Sequence, residues 1–333
     1  MTNIIVVGTY DTKAKPLKTL ERALIAAGER PVTIDTGIFS TDVDVTYSGN
    51  DVAKAAGLNL RDLSSQGRAK SVRIMAEGAA NILSELVSNG SVGAVVMIGG
   101  SNASSVFAHL VPKIPLGIPK LLMATTVSGD VRTLVNGADT ILFYPIVDVD
   151  GDNSILRAMI KRLADTAAVV KSDGPINMVE RERRVALSMY GVTTPCVQLV
   201  ERQLRLIGVE PLVFHANGAG GATIERFARQ HLIGAIADLT LAELSNEVVG
   251  GAYPAGRDRM TAASCTGIPQ VIAPGSIDMV AFGPGHVMPE KFKDHLTCSH
   301  NDLVTLVRTT PNECYKIGEK LAKRLGTPKT DTV

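Results

Sequence analysis

The chain reads as an α/β protein built from two Rossmann-like, doubly wound parallel-sheet domains in tandem. Three observations predict this. Short runs of Val, Ile, Leu and Ala recur along the chain, and each ends in a glycine- or hydroxyl-rich turn before a helical stretch. Hydrophobic residues make up 45% of the sequence and aromatics only 4%, with 31 glycines and no Trp, so the cores are aliphatic and the strand–helix turns close. The halves also echo each other: V-V-G-T-Y-D-T-K is matched by M-Y-G-V-T-T-P, and G-I-P-K-L-L-M-A by G-I-P-Q-V-I-A. A length of 333 residues suits two domains.

In chain order, Asn3 to Val7 is a strand, followed by a turn at Gly8 to Lys13 and a helix over Leu17 to Ala27. Pro31 to Ile34 is a second strand, and this βαβ unit requires a right-handed crossover. Phe39 to Ser65 is polar and poorly periodic and reads as an excursion at the domain edge. Arg68 to Ser88 places Val72, Met75, Ala79, Ile82, Leu83 and Leu86 on one helical face. Ala94 to Ile98 is a strand buried on both faces, stopped by Gly99 and Gly100. Ser101 and Asn102 are N-cap types for a helix over Ala103 to Leu110. Ile118 to Ala124 and Thr140 to Val147 are further strands, and Asn153 caps a helix over Ile155 to Val170. The second cycle has strands at Val185 to Met189, Pro211 to His215, Ile233 to Leu239 and Ile268 to Ala273, with helices between them. The expected divisions are a first domain at 1–172, a linker at 173–183, a second domain at 184–327 and a polar tail at 328–333.

Composition excludes several function classes. Net charge is +1 with no long basic run, so nothing argues for a nucleic-acid partner. No apolar run approaches the roughly 20 residues of a membrane span. Cys196, Cys265, Cys298 and Cys314 are scattered, and the chain enters a strand without a signal core, so a soluble cytoplasmic protein is expected. His295, Cys298 and His300 lack a fourth metal ligand nearby.

In an open parallel sheet, ligands bind outside the carboxyl ends of the strands. The first domain puts four loops there. Gly8, Thr9, Asp11, Thr12 and Lys13 offer hydroxyls, a carboxylate and an ammonium. Asp35 and Gly37 close the second strand, where a carboxylate can accept from ribose hydroxyls. Gly99, Gly100, Ser101 and Asn102 offer backbone donors at a helix start. Thr125, Thr126, Ser128, Gly129 and Asp130 add hydroxyls and a second carboxylate. Asp11 and Asp130 are candidate magnesium ligands, and Asp11, Lys13, Asp130 and His215 are candidates for catalysis. A second ligand, a small anionic metabolite, is expected at Thr193, Thr194, His215, Asn217, Gly218, Gly220, Gly221, Ser276 and Asp278. Each of these residues has a plain structural alternative as a cap, a turn or a solvated side chain. No phosphate loop of the form G-x-x-x-x-G-K-[ST], no dinucleotide turn G-x-G-x-x-G and no nucleophile elbow G-x-S-x-G is present.

At these residues the chain resembles a known family. The matching segments are G-T-Y-D-T-K at 8–13, I-G-G-S at 98–101, T-T-V-S-G-D at 125–130, G-V-T-T-P-C at 191–196, F-H-A-N-G-A-G-G at 214–221, P-G-S-I-D-M-V-A-F-G-P at 274–284 and R-T-T-P-N-E at 308–313. They resemble the ATP-binding domain family of the tomato mosaic virus resistance protein and its bacterial and archaeal relatives. The resemblance implies two Rossmann-like subdomains, ATP on the first, and a homo-oligomer. Family chains continue beyond the position of Leu325, whereas this one ends in a short polar tail. The expected function is ATP binding at the first domain's strand ends, facing an interdomain cleft, in an enzyme acting on a small anionic metabolite. The alternatives are a nucleotide-gated module without turnover, or an NAD-dependent oxidoreductase by fold analogy.

Overall fold

The computed structural model describes residues 2–63, 65–135, 137–176, 181–283 and 287–326. The polar tail at 328–333 and part of the 173–183 linker lie outside them. The chain divides into two compact units, Met1–Asn177 and Met178–Val333.

The first unit alternates strand and helix: β1 (Asn3–Gly8), α1 (Tyr10–Ala26), β2 (Pro31–Asp35), α2 (Gly49–Ala55), α3 (Leu60–Leu63), α4 (Arg68–Ser88), β3 (Val92–Gly99), α5 (Ser101–Leu110), β4 (Lys120–Ala124), α6 (Arg132–Val135), β5 (Thr140–Phe143) and α7 (Ser154–Val170). Its five strands run in the order β2-β1-β3-β4-β5, all parallel. Side chains of a strand point alternately to opposite faces. In β1, Ile5 and Val7 therefore join one core with α4 and α5, while Ile4 and Val6 join the other with α1 and α7. A strand buried on both faces carries no polar residue in its centre, as the I-I-V-V run of β1 requires.

The segment after β2 corrects the sequence reading. It is not a structureless excursion, because α2 and α3 form there. Ser48 caps α2 through a reciprocal capping box with Asp51. Val52, Ala53, Leu60 and Leu63 are buried in the same core as the inner face of α4. These two helices are too short to display a period, so the core they complete was hidden. Asn153 caps α7 as expected, accepting from the Leu156 amide. Ser101 and Asn102 do not cap α5; Gly100 holds that position, and no side chain bonds the helix start.

The second unit repeats the plan with β6 (Arg184–Met189), α8 (Thr194–Leu206), β7 (Glu210–His215), α9 (Ala219–Arg229), β8 (Ala235–Asp238), α10 (Ala242–Ser245), α11 (Ala262–Thr266) and β9 (Gln270–Ile272). These strands lie in the order β7-β6-β8-β9, again all parallel. A third sheet, absent from the sequence reading, comes after β9. β10 (Met279–Phe282), β11 (Thr297–Asn301) and β12 (Val304–Arg308) form it, antiparallel in the order β10-β12-β11, backed by α12 (Pro311–Leu325). Phe282, Phe292, Val307 and Ile317 make its core. Two tandem Rossmann-like domains are thus present, the second with this addition. Among the described residues no helix is long and apolar enough to cross a membrane.

Candidate functional site

The strand order of the first sheet reverses direction between β1 and β3, and crevices for ligands form at such switch points. A cavity of about 240 Å³ opens there. Thr9, Asp11 and Thr12 line it from the end of β1, Thr36, Ile38 and Phe39 from the end of β2, and Asn102 from the start of α5. Leu63, Gly67, Arg68, Ser71 and Val72 close it from α3 and the start of α4.

Two long helices therefore aim their N-termini at one cavity. Neither α4 nor α5 has a side chain bonded to its first amides, and neither carries an acid in its first turn. Free amides and an uncompensated dipole favour an anion. Gly67 supplies the turn into α4 with φ of 77°, a left-handed value that a side chain resists. Arg68 adds a guanidinium with no partner among the described residues, and the first turn of α4 carries Lys70 as well. Ile38, Phe39, Leu63 and Val72 give the cavity its apolar lining.

The carboxylates serve different ends. Asp11 accepts from the amides of Ile38 and Phe39 at 3.0 and 3.2 Å, and packs against Gly37 so closely that a Cβ there would strike its carboxylate. Its other oxygen, Oδ1, is buried without a hydrogen-bond partner among the described residues. Asp35 is fully buried and is not in the cavity wall. It accepts from the amides of Tyr10 at 3.0 Å and Gly37 at 2.8 Å, and so joins the turns after β1 and β2. The hydroxyl that reaches the wall beside it is Thr36, only 2% exposed and unpartnered among the described residues.

Burial raises Asp35 above the usual carboxylate range, against the lowering effect of the Gly37 and Tyr10 amides. The folded protein thus holds this proton more tightly than the unfolded chain. The resulting stability is full below the unfolded value, about 3.9, and is lost as pH rises through the folded value. Asp35→Asn keeps an acceptor oxygen for both amides and cannot ionise. It should melt about 2–4 °C above wild type near neutral pH, and the advantage should vanish by about pH 4. Thermal melts followed by circular dichroism across this range check it. A neutral-pH loss would mean that the ionised carboxylate is required.

The other expected groups are not among the cavity's described lining residues. Lys13 sits at a kink in α1, three residues before Pro16, and pairs with Asp150 at 3.2 Å. The Lys13 ammonium, through its hydrogen bond and its charge, holds the exposed Asp150 below the usual range. Thr125 to Ser128 form a 3₁₀ turn tied to α5 by the Ser104–Thr126 hydroxyl pair at 2.5 Å. Ser128 bonds back to the Thr125 carbonyl, Gly129 ends the turn, and Asp130 pairs on the surface with Arg132 at 2.5 Å. Gly8 packs onto Leu17, and Gly99 and Ser101 flank the Gly100 cap. Among the described residues no three metal-ligating side chains cluster.

In the second unit the glycine turn is occupied from within. The Glu243 carboxylate accepts from the amides of Gly218 at 2.5 Å and Gly221 at 3.0 Å. Its other oxygen takes the Arg259 Nε at 2.8 Å, and Asp238 holds the rest of that guanidinium at 2.5 and 2.6 Å. Burial disfavours the Arg259 charge, but Asp238 and Glu243 more than restore it, so its affinity for a proton rises. Glu225 lies 3.5 Å from Arg259 and accepts from the amides of Met260, Thr261 and Ala262. Burial nevertheless raises Glu225 above its usual range. Ser188 and Thr240 extend the network to Thr193, which bonds the Tyr190 carbonyl. Thr194 also reaches that carbonyl, at 3.3 Å. Ser276 is buried with a φ of 62° and a hydroxyl unpartnered among the described residues, and Asp278 pairs with Arg308 at 3.2 Å. Of the expected second-ligand residues, His215 and Asn217 line one cavity, and Asp278 lines another beside β10, β11 and β12. The signal missed in the sequence is Arg259 with Asp238, Glu243 and Glu225, whose spacing follows no motif.

Comparisons with known proteins agree over the full length. A UPF0261 protein of Clostridium tetani is 35% identical over 332 residues, 99% of this chain and 82% of that protein. One from Rhizobium meliloti is 36% identical over 326 residues, 98% of this chain and 81% of that protein. The ToMV resistance protein Tm-1(GCR237) of Solanum lycopersicum is 29% identical over 344 residues, 97% of this chain but 46% of that protein. The N-terminal domain model of the uncharacterised protein family UPF0261 matches residues 2–173 and its C-terminal domain model residues 182–333, so the chain belongs to that family.

Proposed function

We propose that this chain binds a nucleoside triphosphate, ATP, in the switch-point cavity of its first unit. The observation that carries the reading is the convergence of two uncapped helix N-termini and Arg68 on one cavity that also has an apolar lining. Phosphates suit the helix N-termini and Arg68, and an adenine ring suits Ile38, Phe39, Leu63 and Val72. Thr36 and Asn102 are polar lining side chains that would suit sugar or phosphate oxygens. The resemblance to the ATP-binding domain family supports the same ligand. Asp11 suits a magnesium ion carried in with the phosphates, because its buried Oδ1 has no other partner among the described residues.

A binding module without turnover is better supported than an ATP-dependent enzyme. Asp11 is the one carboxylate among the described lining residues, and the amides of Ile38 and Phe39 already engage it. Its free Oδ1 is the atom assigned to the magnesium ion, and no second carboxylate stands in the described lining to act as a general base. The scattered, unpaired cysteines support a cytoplasmic setting. A homo-oligomer rests on the family resemblance.

Calorimetric titration tests the reading with ATP, ATP with magnesium, and NAD. ATP should bind and NAD should bind far more weakly. Arg68→Ala should weaken ATP about tenfold, the worth of one charge-assisted contact. Lys13→Ala should change it less, since Lys13 is engaged by Asp150. Asp11→Asn should remove most of any magnesium dependence. Equal affinity for ATP and NAD, or wild-type affinity in a folded Arg68→Ala protein, would overturn the placement.

A further inference from the structure

The second unit has its own cavity, of about 280 Å³, at the carboxyl ends of β6 and β7. It is not the glycine turn that the sequence pointed to, since Glu243 fills that cradle. Tyr190 and His215 line it as a stacked pair, ring centroids 5.2 Å apart and planes 24° from parallel. Val304 and Leu306 of β12 give it an apolar side, and His300 of β11 stands among its polar groups.

Its chemistry is narrow. No Asp, Glu, Lys or Arg lines it among the described residues. A polyphosphate would find no fixed cation here, and a cationic ligand would find no carboxylate. What remains is a set of imidazole and carboxamide donors. The side chains of His215, Asn217 and His300 have no hydrogen-bond partner among the described residues, and imidazole and carboxamide N–H groups suit a pair of carboxylate oxygens. The stacked rings and the apolar side suit a flat, unsaturated body.

The site is also held in shape before any ligand arrives. Thr193 fixes the Tyr190 turn through that residue's carbonyl at 3.1 Å and continues to Thr240 at 2.7 Å. Glu243 fixes the turn after His215 through two amides. Gly220 lies so close behind His215 that a Cβ would strike the His215 carbonyl. Groups already ordered lose little freedom on binding.

We propose that this cavity binds a small planar monocarboxylate, its carboxylate on His215, Asn217 and His300 and its flat body along Tyr190 and Leu306. The site lies within the second unit and does not depend on whether the first unit holds a nucleotide.

The test is calorimetric titration of the full chain, without nucleotide, using benzoate as the probe and benzamide as its uncharged counterpart of the same shape. Benzoate should bind with a dissociation constant on the order of 0.1–1 mM, and benzamide at least about tenfold more weakly. The double variant His215→Gln, His300→Gln should weaken benzoate by about tenfold or more. In wild-type protein with labelled histidine rings, benzoate should shift two of the six histidine signals, which keeps the proposal open to test if the variant folds poorly. No benzoate binding, benzamide binding equally well, affinity unchanged in the folded double variant, or histidine signals unmoved would each overturn it.

Discussion

Replacing Arg259 by methionine should destabilise the second unit by about 3–5 kcal/mol, the cost of breaking a buried ion network by removing one partner. Arg259 is 1% exposed, and the carboxylates around it, Asp238, Glu243 and Glu225, are 0%, 1% and 2% exposed. Methionine keeps much of the volume and removes the charge that offsets three acids in contact with it. The turn before α9 should loosen with it, because Glu243 holds the Gly218 and Gly221 amides from a position fixed by Arg259. Urea unfolding followed by fluorescence or circular dichroism reads the loss. Acid should return part of it. Burial already raises Glu225 in the wild type, so its stabilising share is complete below the unfolded value and declines as pH rises through the folded one. Adding Asp238→Asn or Glu243→Gln to the variant should recover more stability than the sum of separate effects, since these groups touch. A loss below about 1 kcal/mol would mean that the network contributes little beyond packing.

The same network explains why the second glycine turn misleads a reader of the sequence. Asn217-Gly-Ala-Gly-Gly before a helix reports that the backbone has room there, and nothing about what fills the room. The carboxylate that fills it stands 22 and 25 residues further along, on a different element. Arg68 was hidden for the same reason. It reads as a solvated helix residue, and only the return of α4 across the β1–β3 switch point puts it in the cavity. By contrast, the alternation of strand and helix in the first unit was legible because β1, β3 and β4 centre on continuous apolar runs and α4 carries a wide apolar stripe. Arg68 to Ser88 was readable to the residue. The antiparallel sheet was not, because β11 is exposed along its whole length and carries no apolar alternation.

Gly100→Val should lower ATP affinity by about ten- to a hundredfold, or about 1.4–2.8 kcal/mol, while the protein stays folded. Gly100 caps α5 with φ of −106° and ψ of −148°, a negative φ that does not itself demand glycine. Apart from its two chain neighbours, no described residue comes within 4 Å of a Cβ built at this position. The added side chain therefore meets no neighbour, and the stability cost should stay within about 1 kcal/mol, the difference between glycine and valine as a helix cap. Its methyl groups would instead stand over the first amides of α5, where an anion must approach to meet them. The loss should fall with the number of phosphates, greatest for ATP, smaller for AMP and least for adenosine, because the adenine wall of Ile38, Phe39, Leu63 and Val72 comes from other elements. Parallel melts establish that the variant is folded, and calorimetry with the three ligands reads the order. Wild-type ATP affinity in the folded variant would remove the α5 N-terminus from the phosphate site. An equal loss for adenosine would put the sugar or base, rather than the phosphates, against Gly100.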